Sequence, residues 1–259
     1  MIGRKPGRGW PWRRDRIQRA QFSEERWRWV REQHPILAGL TPDEDRRLQE
    51  LVGRFLHRKR FEVHGLEGDE DLYRLVVATQ ACVPVLGLGL EWYRGWRTVV
   101  LLPREFAAQM EETDAGGVVR EWEEELAGEA WDEGPVVLSW NDVEESGWGD
   151  GCNVVIHEAA HKLDLLDGDM NGRPALHRDM DPATWHRELG GAYEQLCRDE
   201  QHGREGAVDF YAAESPAEFF AVTSELFFER PAALHRQFPG VYRQLTAFYR
   251  QHPLHRGQH

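Results

Sequence analysis

His157, Glu158 and His161 stand as H-E-x-x-H within the stretch NVVIHEAAHKLDLLD, residues 153–167. On a helix, residues four apart share a face, which sets the two imidazoles roughly 5–6 Å apart at Cβ. Histidines at that spacing can share one zinc ion, and the glutamate between them is placed to act as base on a water at the metal. The neighbouring residues favour a helix. Val154, Val155 and Leu163 recur at helical spacing, and Asn153 or Asp150 can cap its start. The pattern also arises by chance, as a surface helix with two exposed histidines, so the rest of the chain has to complete the site.

A catalytic zinc takes three protein ligands and keeps one position open. A further histidine six residues beyond His161 would fall at position 167, where Asp167 stands. The other common solution is a glutamate on a later helix. Ser215-Pro216 opens such a helix, AEFFAVTSELFFE, which carries Glu218 and Glu225 seven apart and nearly on one face, with Glu214 just before it. Ser215-x-x-Glu218 is also a capping box, in which Glu218 would bond the backbone N–H of Ser215. Phe219 and Phe220 beside Glu218 argue for a partly buried carboxylate that needs a partner. Local physics leaves Glu218 and Glu225 level. Asp164, one turn beyond His161, reads as an orienting partner for a histidine or as a solvent-facing acid. Asp167-Gly-Asp169-Met-Asn171-Gly172 matches half of a calcium loop, but position twelve is Arg178, so an Asx-rich turn explains it better.

Several elements are legible around these residues. Thr41-Pro-Asp-Glu44 is a capping box ahead of a stripe of Leu48, Leu51, Val52, Phe55 and Leu56. Phe61–Val63 reads as a short strand, Asp71 to about Cys82 as a helix. Arg97–Leu102 and Pro135–Trp140 read as strands of the fully apolar kind. Asp181-Pro182 opens a helix to about Glu200, with Trp185, Leu189, Tyr193 and Leu196 inward, and Pro231 and Pro239 open two short ones. Strands come early and helices late, which predicts an α+β fold, mainly helical, with a small sheet before the histidine helix. The expected organisation is a basic N-terminal extension over 1–35 and a single domain over 36–259.

The chain has 259 residues, 41% hydrophobic and 30% charged, with a net charge of -13. That balance argues against nucleic acid and anionic membranes as partners. No apolar run nears the roughly 18 residues of a membrane span. The basic start, with Trp10 and Trp12, lacks the apolar core of a signal peptide. Cys82, Cys152 and Cys197 are odd in number and scattered, which fits a reducing compartment, hence the cytoplasm.

The strings GEAWDEGPVVLSW (128–140), NVVIHEAAHKLDLLDG (153–168) and FYAAESPAEFFAVTSELFF (210–228) resemble the Mlc titration factor A family of zinc peptidases. WPWRR (10–14) and LEWYRGWRTVVLLP (90–103) resemble it too, so the likeness runs from about Trp10 to Phe228. The family's catalytic core is similar to that of the anthrax lethal factor. The resemblance implies a zincin-like, gluzincin domain holding one zinc per chain through His157, His161 and Glu218. It implies Glu158 as general base and Tyr211 as a tyrosine lining the site, where FYAA alone would suggest a core residue. It also implies cleavage of small peptides, as an aminopeptidase, by zinc-activated water. The other reading it carries is a regulatory protein that sequesters a transcriptional repressor of the Mlc type.

Overall fold

The computed structural model describes residues 22–103 and 134–256. The basic leader up to residue 20 and the charged stretch 111–133 lie outside them. The first described helix, α1 (Glu24–Gln33), is capped by Ser23 and buries Trp27 and Val30 in the core. Of the extension expected over 1–35, the described part therefore belongs to the packed body.

Thr41 caps α2 (Pro42–Arg58) through the full capping box: its hydroxyl accepts the Glu44 N–H, and Glu44 reaches back to the Thr41 N–H at 2.9 Å. The helix buries Leu48, Leu51, Val52 and Phe55, as its apolar spacing requires. β1 (Arg60–Val63), α3 (Glu70–Cys82), β2 (Thr98–Leu102) and β3 (Val136–Ser139) follow. The three strands form a parallel sheet in the order β1-β2-β3, with Phe61 opposite Val99 and Val99 opposite Val136. β2 is central and buried from Val99 to Leu102, which is why it reads as an unbroken apolar run. Ser139 ends β3 and caps α4 (Trp140–Glu144), so Trp140 is helical rather than the strand residue expected.

The later half is helical: α5 (Val154–Asp164), α6 (Pro182–Trp185), α7 (Gly191–Gln201), α8 (Pro216–Glu229), α9 (Pro231–Gln237) and α10 (Pro239–Tyr249). The single helix expected from Asp181 to Glu200 is interrupted by a π-helical turn, His186–Gly190. The turn ends at Gly190-Gly191, where the chain has least preference for α-helix. Proline opens α8, α9 and α10, where its missing N–H costs nothing.

α8 is the central helix, buried along almost its whole length. Phe220 and Phe227 stack on Tyr249, and Phe220 also meets Trp185 and Phe248. α5 packs chiefly on α8, and also touches α3 and β3. The described residues are thus mainly helical with a small parallel sheet, and none of their helices is long and apolar enough to cross a membrane.

Candidate metal centre

Asn153 starts α5. Its Oδ1 accepts the Ile156 N–H at 2.9 Å, while Asp150 instead turns to the Cys152 N–H at 3.1 Å. Val155, Ile156, Ala159, Ala160 and Leu163 are buried, which turns the other face, with both histidines, toward the start of α8. The two Nε2 atoms lie 3.0 Å apart. Glu218 Oε2 is 3.1 Å from His157 Nε2, and Oε1 is 3.4 Å from His161 Nε2. Among the described residues His157, His161 and Glu218 are the one group able to hold a metal ion, their donor atoms all within 4.8 Å of one another.

Ser215 Oγ accepts the Glu218 N–H at 3.1 Å, so half of the capping box is present. The Glu218 carboxylate does not close the other half; it faces the histidines. Capping thus accounts for the Glu218 backbone and leaves its side chain to the site. Glu225, its equal in the sequence, lies behind the ring: Oε1 is 2.8 Å from His157 Nδ1, and Oε2 accepts the Asn153 N–H. Glu229 continues the series, accepting from Asn153 Nδ2 at 2.8 Å and from the Gly149 N–H at 2.6 Å. The reading of the sequence missed Glu229. The signal was its spacing, four residues beyond Glu225 on the same helix face.

The donor set fits a divalent metal. Four-coordinate zinc at about 2.0–2.1 Å spaces its donors roughly 3.3 Å apart; here the two imidazole nitrogens are 3.0 Å apart, and each has a different Glu218 oxygen at 3.1 or 3.4 Å. Among the described residues, buried Glu218 Oε2 finds no hydrogen-bond partner, although His157 Nε2 is close. Atoms aimed at a common third point rather than at each other behave this way. Burial opposes a charge on His157, yet Glu218 and Glu225 outweigh it and push the imidazole up to about 10. His161 goes the other way, to about 4, through burial and then the neighbouring His157. One positive charge thus sits between two carboxylates beside a neutral imidazole, a place a cation can take over. His157 holds Glu218 below its ordinary range.

Glu158 is half-buried, and burial raises its carboxyl against the opposing charges of His157 and Lys162. Tyr211 is not a core residue. It is 47% exposed on a 3₁₀ turn, Phe210–Ala213, whose cap Asp209 accepts the Tyr211 N–H, and its ring centroid lies 6.1 Å from that of His157. Burial of the phenol, then Glu218 and Glu214, push it up to about 12, so it stays a proton donor at neutral pH. Asp164 is neither exposed nor bonded to a histidine. It is fully buried and accepts the Gly172 N–H at 2.7 Å, tying down the loop after α5. In that loop Asn171 makes an Asx turn to the Arg173 N–H.

The description "Glucose-regulated metallo-peptidase M90" fits residues 10–250 of the chain. Mlc titration factor A of Klebsiella pneumoniae (strain 342) is 38% identical over 253 residues, 95% of this chain and 93% of that protein. The protein of the same name from Salmonella gallinarum is 37% identical over 252 residues, 95% and 93% of the two chains. That from Escherichia fergusonii is 38% identical over 223 residues, 85% and 84%. With the family model spanning nearly the whole length and such relatives beside it, the chain belongs to the M90 family of glucose-regulated metallo-peptidases.

Proposed function

We propose that this protein combines two roles: a regulatory binding protein for a transcriptional repressor of the Mlc type, and a zinc-dependent peptidase. The relatives support the first role, since proteins named Mlc titration factor A match this chain over nearly their full length. The observation that carries the second is the triangle of His157, His161 and Glu218.

In this reading His157 and His161 hold one zinc through Nε2 and Glu218 through its carboxylate. When bound, the metal lowers the pKa of water and polarises the scissile carbonyl. Glu158, its carboxyl raised by burial, accepts a proton from the attacking water and hands it to the leaving amine. Tyr211, protonated and exposed beside His157, donates a hydrogen bond to the developing oxyanion. Small peptides with a free amino end are the proposed substrates. Of the acids near the site, Glu214 and Asp209 are exposed and remain candidates to hold that amine. Glu225 is set aside, since both its oxygens are engaged. The free cysteines fit a cytoplasmic setting. We take the body from α1 onward as one zincin-like domain, with the basic extension ending before it.

One variant tests both roles. Glu158→Gln should keep about one zinc per chain, lose peptide hydrolysis, and still co-purify with an Mlc-type repressor. Hydrolysis that survives in Glu158→Gln sinks the mechanism. Loss of repressor binding in the same variant, with zinc retained, sinks the separation of the roles. Comparing free with N-blocked peptides decides the aminopeptidase reading.

A further inference from the structure

We propose that Glu225 is the positioning residue of this centre, fixing the His157 ring and tying it to the backbone N–H of Asn153, the cap of the ring's own helix. The inference rests on the metal-centre reading above. A histidine that gives Nε2 to a metal must carry its proton on Nδ1, and that proton needs an acceptor. Glu225 Oε1 is 2.8 Å from His157 Nδ1. Its side chain is nearly out of solvent, 10% exposed, so a carboxylate there is tolerable only if both oxygens find donors. The second oxygen takes the N–H of Asn153, the cap of α5, where the helix dipole favours negative charge.

The link does not end there. Asn153 is itself fixed on three sides: its N–H by Glu225, its Oδ1 by the Ile156 N–H, its Nδ2 by Glu229. Glu229 also grips the Gly149 N–H in the loop before the helix. α8 thus presents Glu218 to the metal position, Glu225 to the back of one ligand, and Glu229 to that ligand's helix cap. Two helices that slide against each other by a fraction of a turn would lose all three contacts together. His161 has no such support among the described residues, where its buried Nδ1 finds no hydrogen-bond partner. His157 is therefore the ligand oriented in advance of the metal.

The experiment measures zinc affinity by chelator competition, the visible spectrum of the cobalt(II)-loaded protein, and the melting temperature of the metal-free protein. Glu225→Gln leaves one acceptor for two donors, so one N–H must face an amide NH₂. Zinc binding should weaken about 10–100-fold, with an altered cobalt spectrum. Glu225→Asp, which keeps the charge but draws both oxygens back, should move both readouts the same way and stands in if the Gln variant does not fold. Glu229→Gln, which touches no ligand, should leave the cobalt spectrum unchanged. Wild-type zinc affinity and spectrum in a folded Glu225→Gln or Glu225→Asp protein overturn the proposal while leaving the metal centre standing. A wild-type protein that binds no zinc overturns the metal-centre reading beneath it.

Discussion

Gly172 is where the loop after α5 meets the start of α8, and Gly172→Ala should damage both stability and metal binding. Its φ is +76°, a left-handed conformation that costs a residue with a side chain about 1–2 kcal/mol. A Cβ built there meets the Pro216 carbonyl oxygen at 2.2 Å, far inside contact distance and against backbone. Gly172 cannot retreat. Its N–H is held by Asp164 at 2.7 Å, and its carbonyl accepts from Trp185 Nε1 at 3.2 Å. The first turn of α8 must give way instead, and forced overpacking of this kind costs about 1–3 kcal/mol. The sum, about 2–5 kcal/mol, lowers the melting temperature of a chain this size by about 4–20 °C. Pro216 lies two residues before Glu218, so the third donor moves with it and zinc affinity should fall. Gly168→Ala is the control. Its φ is +103°, so it carries the same kind of strain, but no described atom stands within 4 Å of its added Cβ. It should lose about 1–2 kcal/mol and keep zinc affinity. Thermal melts of the two metal-free variants, with zinc titrations of each, separate strain from clash. Equal melting temperatures and equal affinities in the two variants would refute the argument.

Tyr211→Phe should cut kcat by about 10²–10³-fold with zinc content intact, as loss of one oxyanion donor does; steady-state kinetics checks it, and an unchanged kcat reduces Tyr211 to a wall of the cleft. Glu229, pushed up to about 7 by burial against its two hydrogen bonds, sets a pH dependence. An unfolded Glu ionises near 4.5, so between about 4.5 and 7 the folded state holds the extra proton. Stability should then fall as pH rises through that window, by about 3 kcal/mol for this group. Asp164, raised to about 6 by burial, adds to the same slope. Melting temperatures of the metal-free protein from pH 4.5 to 8 test this, and Glu229→Gln should flatten the curve; a slope unchanged by that substitution would remove Glu229 as its source.

Much of the fold is legible because its signals are local. Thr41 and Glu44 make their capping box whatever surrounds them, and Asn153, Asp181 and Ser215 cap helices for the same reason. The strands stand out because a parallel sheet covered on both faces demands apolar runs, and Val99–Leu102 is one. The π-helical turn at His186–Gly190 is not legible. It differs from an α-helix by one residue per hydrogen bond, and the apolar stripe of Trp185, Leu189 and Leu196 satisfies both.

The site divides along the same line. The spacing of His157 and His161 is a property of one helix and can be read directly. The tie between Glu218 and Glu225 is a property of two helices, because seven residues along α8 span nearly two turns without changing face. Which carboxylate meets Nε2 and which meets Nδ1 depends on the register of α8 against α5, and that register is set by contacts no short pattern contains: Glu229 to Asn153 and Gly149 at one end, Gly172 beneath Pro216 at the other. The two candidates are therefore not rivals. With Glu218 at the front of His157, Glu225 falls behind it, and one helix face supplies both a third donor and the brace for the first. Two glutamates seven apart on a helix following an H-E-x-x-H segment should accordingly be read as a pair, one for the metal position and one for the ring that serves it.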